Sequence, residues 1–260
     1  MQQKLEGFMV AIMGGDAREQ TLAEELAAAG ALVNVAALPV KNKTAGVVVC
    51  SEPEECLRGV GAVILPVPGI NEKGLIYCPL SRHPITLTGN LLSKVPAGAP
   101  VFVGVARPLL VEMATRHGLC LIELMKLDEV AILNSIPTAE GAVQMAMEMM
   151  PITIHGCRAF VLGFGRTGAT LARLLGAMGA RTKVVARRYE HLARITEMNL
   201  TPVPFRDLPE KISEADVIFN TIPAPVLTEA ILKKIQAGTL IIDLASAPGG
   251  VEFGKADGMG

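Results

Sequence analysis

The chain has 260 residues, 24 basic against 25 acidic, and is half apolar with no tryptophan, two tyrosines and seven phenylalanines. Its mean hydropathy is +0.43, yet no apolar run approaches the ~18 residues that span a bilayer, which argues against a transmembrane protein. A net charge of −1 offers nucleic acid no general attraction, and five scattered cysteines without a CxxC pair suit neither a disulfide framework nor a zinc site. The stretch from Met1 to Gly7 lacks the shape of a signal peptide, so the expectation is a cytoplasmic α/β protein.

In chain order, Phe8–Met13 reads as a first strand, followed by Gly14-Gly15 and an alanine-rich helix ending near Gly30. Asp16 and Glu19 have the spacing of a capping box. Short apolar runs at Leu32–Ala36, Ala62–Leu65, Val101–Val105 and Leu119–Ile122 predict further strands. Asn134-Ser135-Ile136-Pro137 reads as a turn. Thr138–Met150 is then a helix apolar on almost every face, with Met145, Met147, Met149 and Met150 as core filling. This helix is expected to be a buried connector, with the domain boundary at about residue 136.

The second half opens with a strand at Arg158–Leu162, the run Gly163-Phe164-Gly165-Arg166-Thr167-Gly168, and a helix. Leu171, Leu174, Leu175 and Met178 form one stripe of that helix, and Gly179 ends it. Strands follow at Lys183–Ala186, Val217–Asn220 and Thr239–Leu244. Alternating strands and helices predict right-handed βαβ units and two doubly wound parallel sheets, with domains at 1–136 and 137–260. After Asp243 the chain runs into a glycine-rich tail ending Gly258-Met259-Gly260, where a complete dinucleotide fold would add another strand and helix; the C-terminus reads as truncated.

The glycine run carries the most chemistry. Gly163 permits a tight turn, Gly165 lets a pyrophosphate approach the backbone, and Gly168 lets the helix pack on the strand; Arg166 and Thr167 open the helix, whose N–H groups face the phosphates. About 20 residues on, an NAD site usually carries a carboxylate for the ribose 2′-hydroxyl. Here Ala186 is followed by Arg187 and Arg188, which suit a 2′-phosphate, so NADP(H) is expected over NAD(H), with NAD possible. Asn220-Thr221-Ile222-Pro223 and Asp243-Leu244-Ala245-Ser246 sit at carboxyl ends of strands and are expected to line the nicotinamide cleft, although Asp243 equally suits an anchor for its own loop.

In the first half, Gly14-Gly15-Asp16-Ala17-Arg18 lacks a third glycine and is a poor nucleotide fingerprint. It does set Arg18 at a helix N-terminus where an anionic substrate would find a cation and amides. Asp16 there is a helix cap or a catalytic acid. His83, His117, His155 and His191 have no ligand spacing, so no metal site is expected; His191 could contact an adenosine phosphate.

Together these motifs resemble the family of bacterial dipicolinate synthase A subunits. The resemblance rests on Gly14–Arg18, Asn134-Ser-Ile-Pro-Thr-Ala-Glu-Gly141, Ile154-His-Gly156, Leu162–Gly168, His191-Leu-Ala-Arg-Ile-Thr-Glu-Met198, Asn220–Pro223 and Asp243–Ser246 with Pro248-Gly-Gly250, spread over nearly the whole chain. It departs from the family pattern at Ala247, where a basic residue is expected. The resemblance implies a flavodoxin-like or hydroxyacid-dehydrogenase-like substrate domain before a Rossmann domain, and a flavoprotein-like partner, the B subunit. It also implies NADP- or NAD-dependent oxidation of a dihydrodipicolinate-level dicarboxylate in the mother-cell cytoplasm during sporulation. On this reading the substrate lies between the halves, near Arg18 and the Asn134–Thr138 turn. Asp16 or Glu140 is the base, and Asn134, Ser135 and Thr138 are hydrogen-bonding partners. Two alternatives are a dehydrogenase of another small carboxylic acid, such as a 2-hydroxy acid, and a non-catalytic NADP-binding partner protein. A homodimer is expected because the apolar connecting helix needs cover.

Overall fold

The structure, a computed structural model, describes residues 5–40, 44–246 and 249–251; Ala247, Pro248 and the glycine-rich tail lie outside the described residues. The chain forms two compact units that divide after Asp128, rather than at the expected position near 136.

The first unit contains β1 (Met9–Met13), α1 (Ala17–Ala28), β2 (Leu32–Ala36), β3 (Val47–Val49), α2 (Pro53–Cys56), β4 (Ala62–Ile64), α3 (Gly89–Leu92), β5 (Pro100–Val103), α4 (Pro108–Arg116) and β6 (Cys120–Glu123). All strands are parallel, in the order β3-β2-β1-β4-β5-β6. Of the two doubly wound arrangements, this is the Rossmann order and not the flavodoxin one, because β3 pairs on the outside of β2 and leaves β4 beside β1. The pleat sends Ala11 and Met13 to one core with Val63, Val101 and Leu110. Val10 and Ile12 join Ala23, Val33 and Val35 on the other face. Burial on both faces explains why these strands read as continuous apolar runs.

The second unit contains α5 (Asp128–Met149), β7 (Arg158–Leu162), α6 (Arg166–Ala177), β8 (Arg181–Ala186), α7 (Tyr189–Glu197), β9 (Thr201–Pro204), α8 (Leu208–Lys211), β10 (Val217–Asn220), α9 (Glu229–Leu232) and β11 (Leu240–Asp243). Its parallel sheet has the order β11-β10-β7-β8-β9, again stepping outward from the first strand in both directions. Leu171 and Leu175 of α6 are fully buried against Val161 and Val184, as the stripe predicts, and Gly179 closes the helix at φ +81°. The edge strand β9 reads Thr-Pro-Val-Pro.

Two expectations about the connector are corrected. Asn134–Pro137 is not a turn; it lies inside the 22-residue α5. Pro137 costs that helix one N–H, whose acceptor would be the carbonyl of Leu133, a residue 66% exposed and open to water. Nor is the methionine cluster core filling. The buried stripe is Ala131, Ser135, Ala139, Ala142, Val143 and Ala146, small residues that let α5 lie close on its neighbours. Met145, Met147 and Met149 are exposed along with Leu133 and Ile136, while Met150 packs partly against the core. Among the described residues, no helix is long and apolar enough to cross a membrane.

Candidate functional site

At the carboxyl end of β7, the three glycines stand in different steric surroundings. Gly163 turns with φ +96°, and a Cβ there would stand 2.6 Å from Thr221 Oγ1. A Cβ on Gly168 would stand 2.3 Å from the Gly163 carbonyl oxygen, so only glycine lets α6 come this close to the turn. Gly165 is the opposite case: a Cβ there would meet nothing within 4 Å. It is the N-cap of α6 and, as glycine, brings no capping side chain of its own. The amides of Arg166 and Thr167 follow in the first turn, where helix geometry favours an anion. An open middle glycine at the N-cap of a helix fits a dinucleotide pyrophosphate.

The neighbouring turn after β10 is locked from within. Thr221 N–H and Oγ1–H both donate to the Leu162 carbonyl, at 3.0 and 2.8 Å. Asn220 is fully buried; its amide NH2 donates to Asp243 Oδ1 at 2.8 Å and to the Ile222 carbonyl at 3.1 Å, and its oxygen accepts from Ile222 N–H. Asp243 in turn accepts from Ala245 N–H at 3.0 Å and from Gly250 N–H at 2.9 Å. Of its two possible roles, the geometry gives Asp243 the anchoring of its own loop. The pair thereby fixes the turn ending in Pro223, together with Ala245 and Gly250, at the same sheet edge as the glycine turn.

Beyond β8, the Arg187 guanidinium lies 4.6 Å from the centre of the Phe205 ring. Arg187, Tyr189, Phe205 and Arg206 line a cavity of about 170 Å³. Arg188 is turned to an ion pair with Glu190, which leaves Arg187 as the better placed of the two expected phosphate readers. The His191 ring stands edge-on to Phe164 of the glycine turn at 5.6 Å. Phe205 and Arg206 escape the sequence reading because they follow β9, a strand whose two prolines conceal it.

In the first unit, the capping box forms as spaced. Asp16 Oδ1 accepts from Arg18 N–H at 3.0 Å, and Glu19 Oε2 accepts from Asp16 N–H at 2.7 Å. The Arg18 side chain also clasps both Asp16 oxygens, at 3.0 and 2.9 Å. That hydrogen-bonded guanidinium is the main reason the Asp16 carboxyl is held down to about 2. A carboxylate so weakly basic is a poor proton acceptor at neutral pH, which counts against Asp16 as the base.

The expected residues on α5 do not form one cluster. Ser135 is 1% exposed, and its hydroxyl is engaged with the Ile132 carbonyl at 2.6 Å and Thr170 Oγ1 at 2.7 Å, so it ties α5 to α6. Thr138 Oγ1 donates back to the Asn134 carbonyl at 2.8 Å, which places these two on a common face. Glu140 is exposed, two positions on, and so about 160° around the helix from Thr138.

Two Rossmann-order units, the second carrying the strand, glycine turn and helix of dinucleotide-binding proteins, define a two-unit protein of the dehydrogenase fold. Comparison with known proteins sharpens this. Residues 9–125 match the family model for the N-terminal domain of the dipicolinate synthase A subunit, and residues 144–256 match that for shikimate / quinate 5-dehydrogenase. The dipicolinate synthase A subunit of Bacillus subtilis (strain 168) is 37% identical over 257 residues, covering 98% of this chain and 86% of the relative. The crystal structure of the corresponding A subunit from Bacillus halodurans superposes with a TM-score of 0.93 at 37% identity, over 98% of this chain and 87% of that one. A transhydrogenase from Sinorhizobium meliloti, at 15% identity and TM-score 0.65 over 94% of this chain and 80% of that one, shares the fold. The chain belongs to the family of dipicolinate synthase A subunits.

Proposed function

We propose that the chain is the A subunit of a dipicolinate synthase, oxidising a dihydrodipicolinate-level dicarboxylate with NADP⁺ and acting beside a B subunit. The observation that carries this reading is the glycine turn of a family member, with its middle glycine facing open space and its outer two confined. A bound nicotinamide supplies the hydride acceptor. The chain's own residues hold and orient. Gly163, Gly165 and Gly168, with the first amides of α6, take the pyrophosphate, and Arg187, backed by Arg188, takes the 2′-phosphate. The turns at Asn220–Pro223 and Asp243–Ala245, kept rigid by the Asn220–Asp243 bond, shape the nicotinamide end.

For the substrate, the first unit offers the Arg18 guanidinium, preset by Asp16; in the second unit Asn134 and Thr138 share one polar face of α5. Asp16 acts through Arg18 as a positioning residue, and Glu140, about 160° around α5 from Thr138, does not face the same group of a substrate as Asn134 and Thr138. Aromatisation of the ring supplies much of the driving force, so orientation matters more than strong acid-base chemistry. Exposed Leu133, Ile136 and Met147 on α5 favour a homodimer that covers them.

The test follows NADPH absorbance and dipicolinate together, with freshly generated substrate, with and without the B subunit, and with NAD⁺ as comparison. Dipicolinate appearing in step with NADPH supports the reading. NADPH binding without turnover in either mixture refutes it in favour of a nucleotide-binding partner role.

A further inference from the structure

In the first unit, the chain leaving β4 does not pass straight into a helix. It forms a long loop folded back by two antiparallel bridges, Ile70 to Ile76 and Leu75 to Thr86. Asn71 organises the bend: its side-chain oxygen accepts from Lys73 and Leu75 N–H groups at 2.9 and 3.0 Å. With the oxygen so occupied, the amide NH2 is left to donate.

This loop is pressed onto the chain leaving β5. Val105 N–H donates to the Val67 carbonyl at 3.0 Å. A Cβ on Gly104 would stand 2.4 Å from that same oxygen, and one on Gly69 would stand 2.9 Å from Val103 Cγ2. Two glycines thus permit a contact that side chains would prevent. The approach sets Arg107, just ahead of α4, in the wall of a cavity of about 390 Å³, together with Asn71, Tyr77, Ile70 and Leu75. That volume is within the ~300–1,000 Å³ of small-molecule sites.

The wall is chemically one-sided. Its residues carry a guanidinium, an amide NH2 and a phenol hydroxyl, and among the described residues none that lines it is a carboxylate. Arg18 is already clasped by Asp16, whereas Arg107 forms no ion pair among the described residues. An uncompensated guanidinium beside further donors matches a carboxylate, and the aliphatic side chains match the face of a ring.

We propose that Arg107, with Asn71 and Tyr77, forms the principal carboxylate-binding subsite of the first unit and takes one carboxylate of a small cyclic dicarboxylic acid, with Ile70 and Leu75 against its ring. The choice of acid rests on the synthase reading above; the subsite itself rests on the cavity.

The test is calorimetric titration of the full chain with pyridine-2,6-dicarboxylate, comparing wild type, Arg107→Gln, Arg107→Lys, Tyr77→Phe and Arg18→Gln. Arg107 and Tyr77 are exposed, so these variants should melt with the wild type and bind NADPH equally well. Arg107→Gln should weaken binding about 10- to 100-fold, as expected for a hydrogen-bonded charged group, with Arg107→Lys and Tyr77→Phe intermediate. Arg18→Gln should cost less than Arg107→Gln. A wild-type chain that forms dipicolinate yet binds it no better than Arg107→Gln overturns the Arg107 assignment alone. One that neither binds nor forms dipicolinate overturns the synthase reading and this subsite together.

Discussion

Replacing Gly165 by valine separates the phosphate cradle from the fold that carries it. Gly165 has extended backbone at φ −86° and ψ −163°, which valine adopts without strain, and its Cβ would meet no protein atom within 4 Å. Glycine is much better than valine at an N-cap, so its loss costs about 0.5–1 kcal/mol, and the stiffer unfolded chain returns about 0.4–1 kcal/mol. Stability should therefore stay within about 1 kcal/mol of wild type, a change of only about 2–4 °C in Tm. The side chain would nevertheless fill the approach to the α6 amides. Losing two charge-assisted bonds there, at about 1.5–3 kcal/mol each, should weaken NADPH binding by at least about 100-fold. Gly168→Ala should behave in the reverse sense. Its Cβ falls 2.3 Å from a backbone oxygen, so α6 must shift, at about 1–3 kcal/mol and roughly 2–12 °C in Tm. Fluorescence titration with NADPH and thermal melts of both variants decide the matter. A Gly165→Val chain that binds NADPH like the wild type would refute the cradle, and a Gly168→Ala chain melting with the wild type would refute the packing argument.

Three further outcomes follow from the same geometry. Arg187→Ala should lower NADPH affinity about 10- to 100-fold and leave NADH affinity alone, so an unchanged ratio of the two would remove Arg187 as the 2′-phosphate reader. Asn220→Ala strips partners from Asp243 and from both backbone groups of Ile222 at a fully buried position, and should cost about 2–4 kcal/mol in urea unfolding; a loss under about 1 kcal/mol would mean the latch is not structural. Asp16→Asn keeps the cap but removes the charge. Because the folded carboxyl sits at about 2, below its ordinary 3.8, the ion pair stabilises above about pH 4 and fades as the pH falls toward 2. Arg18 is more than half exposed, so screening limits the effect to about 1 kcal/mol. Melts of wild type and Asp16→Asn should differ at pH 7 and converge near pH 2; a gap that persists in acid would contradict the assignment.

Much of this fold is legible where apolar runs alternate with glycine turns, since a strand buried on both faces announces itself by composition alone. β1, β2, β7 and β10 are all visible for that reason. β3 is too short, and β9 too rich in proline, to be seen. The glycine turn is equally legible, because each glycine answers a local steric demand, and so is the Asp16–Glu19 capping box. The connector is not. Pro137 is an ordinary helix breaker in sequence, and nothing local reveals that Ser135 and the alanines are held against α6 and the sheet. Hydropathy alone therefore points to the methionines as the buried face, when the small residues take it. The cavity beside Arg107 is invisible for another reason: it is assembled from loops after two different strands, and no spacing connects Asn71 and Tyr77 to Arg107.

The prolines of β9 also bear on how the second sheet ends. Val184 and Ala186 of β8 stand in register with Pro202 and Pro204. Alternate residues of a strand face the same edge, so both ring nitrogens point one way, while Thr201 and Val203 supply the N–H groups that β8 requires. The outer edge of β9 is thereby stripped of donors at the positions where an incoming strand would seek them. Another polypeptide cannot zip onto this side by main-chain pairing, and the sheet is closed to growth there without a covering helix.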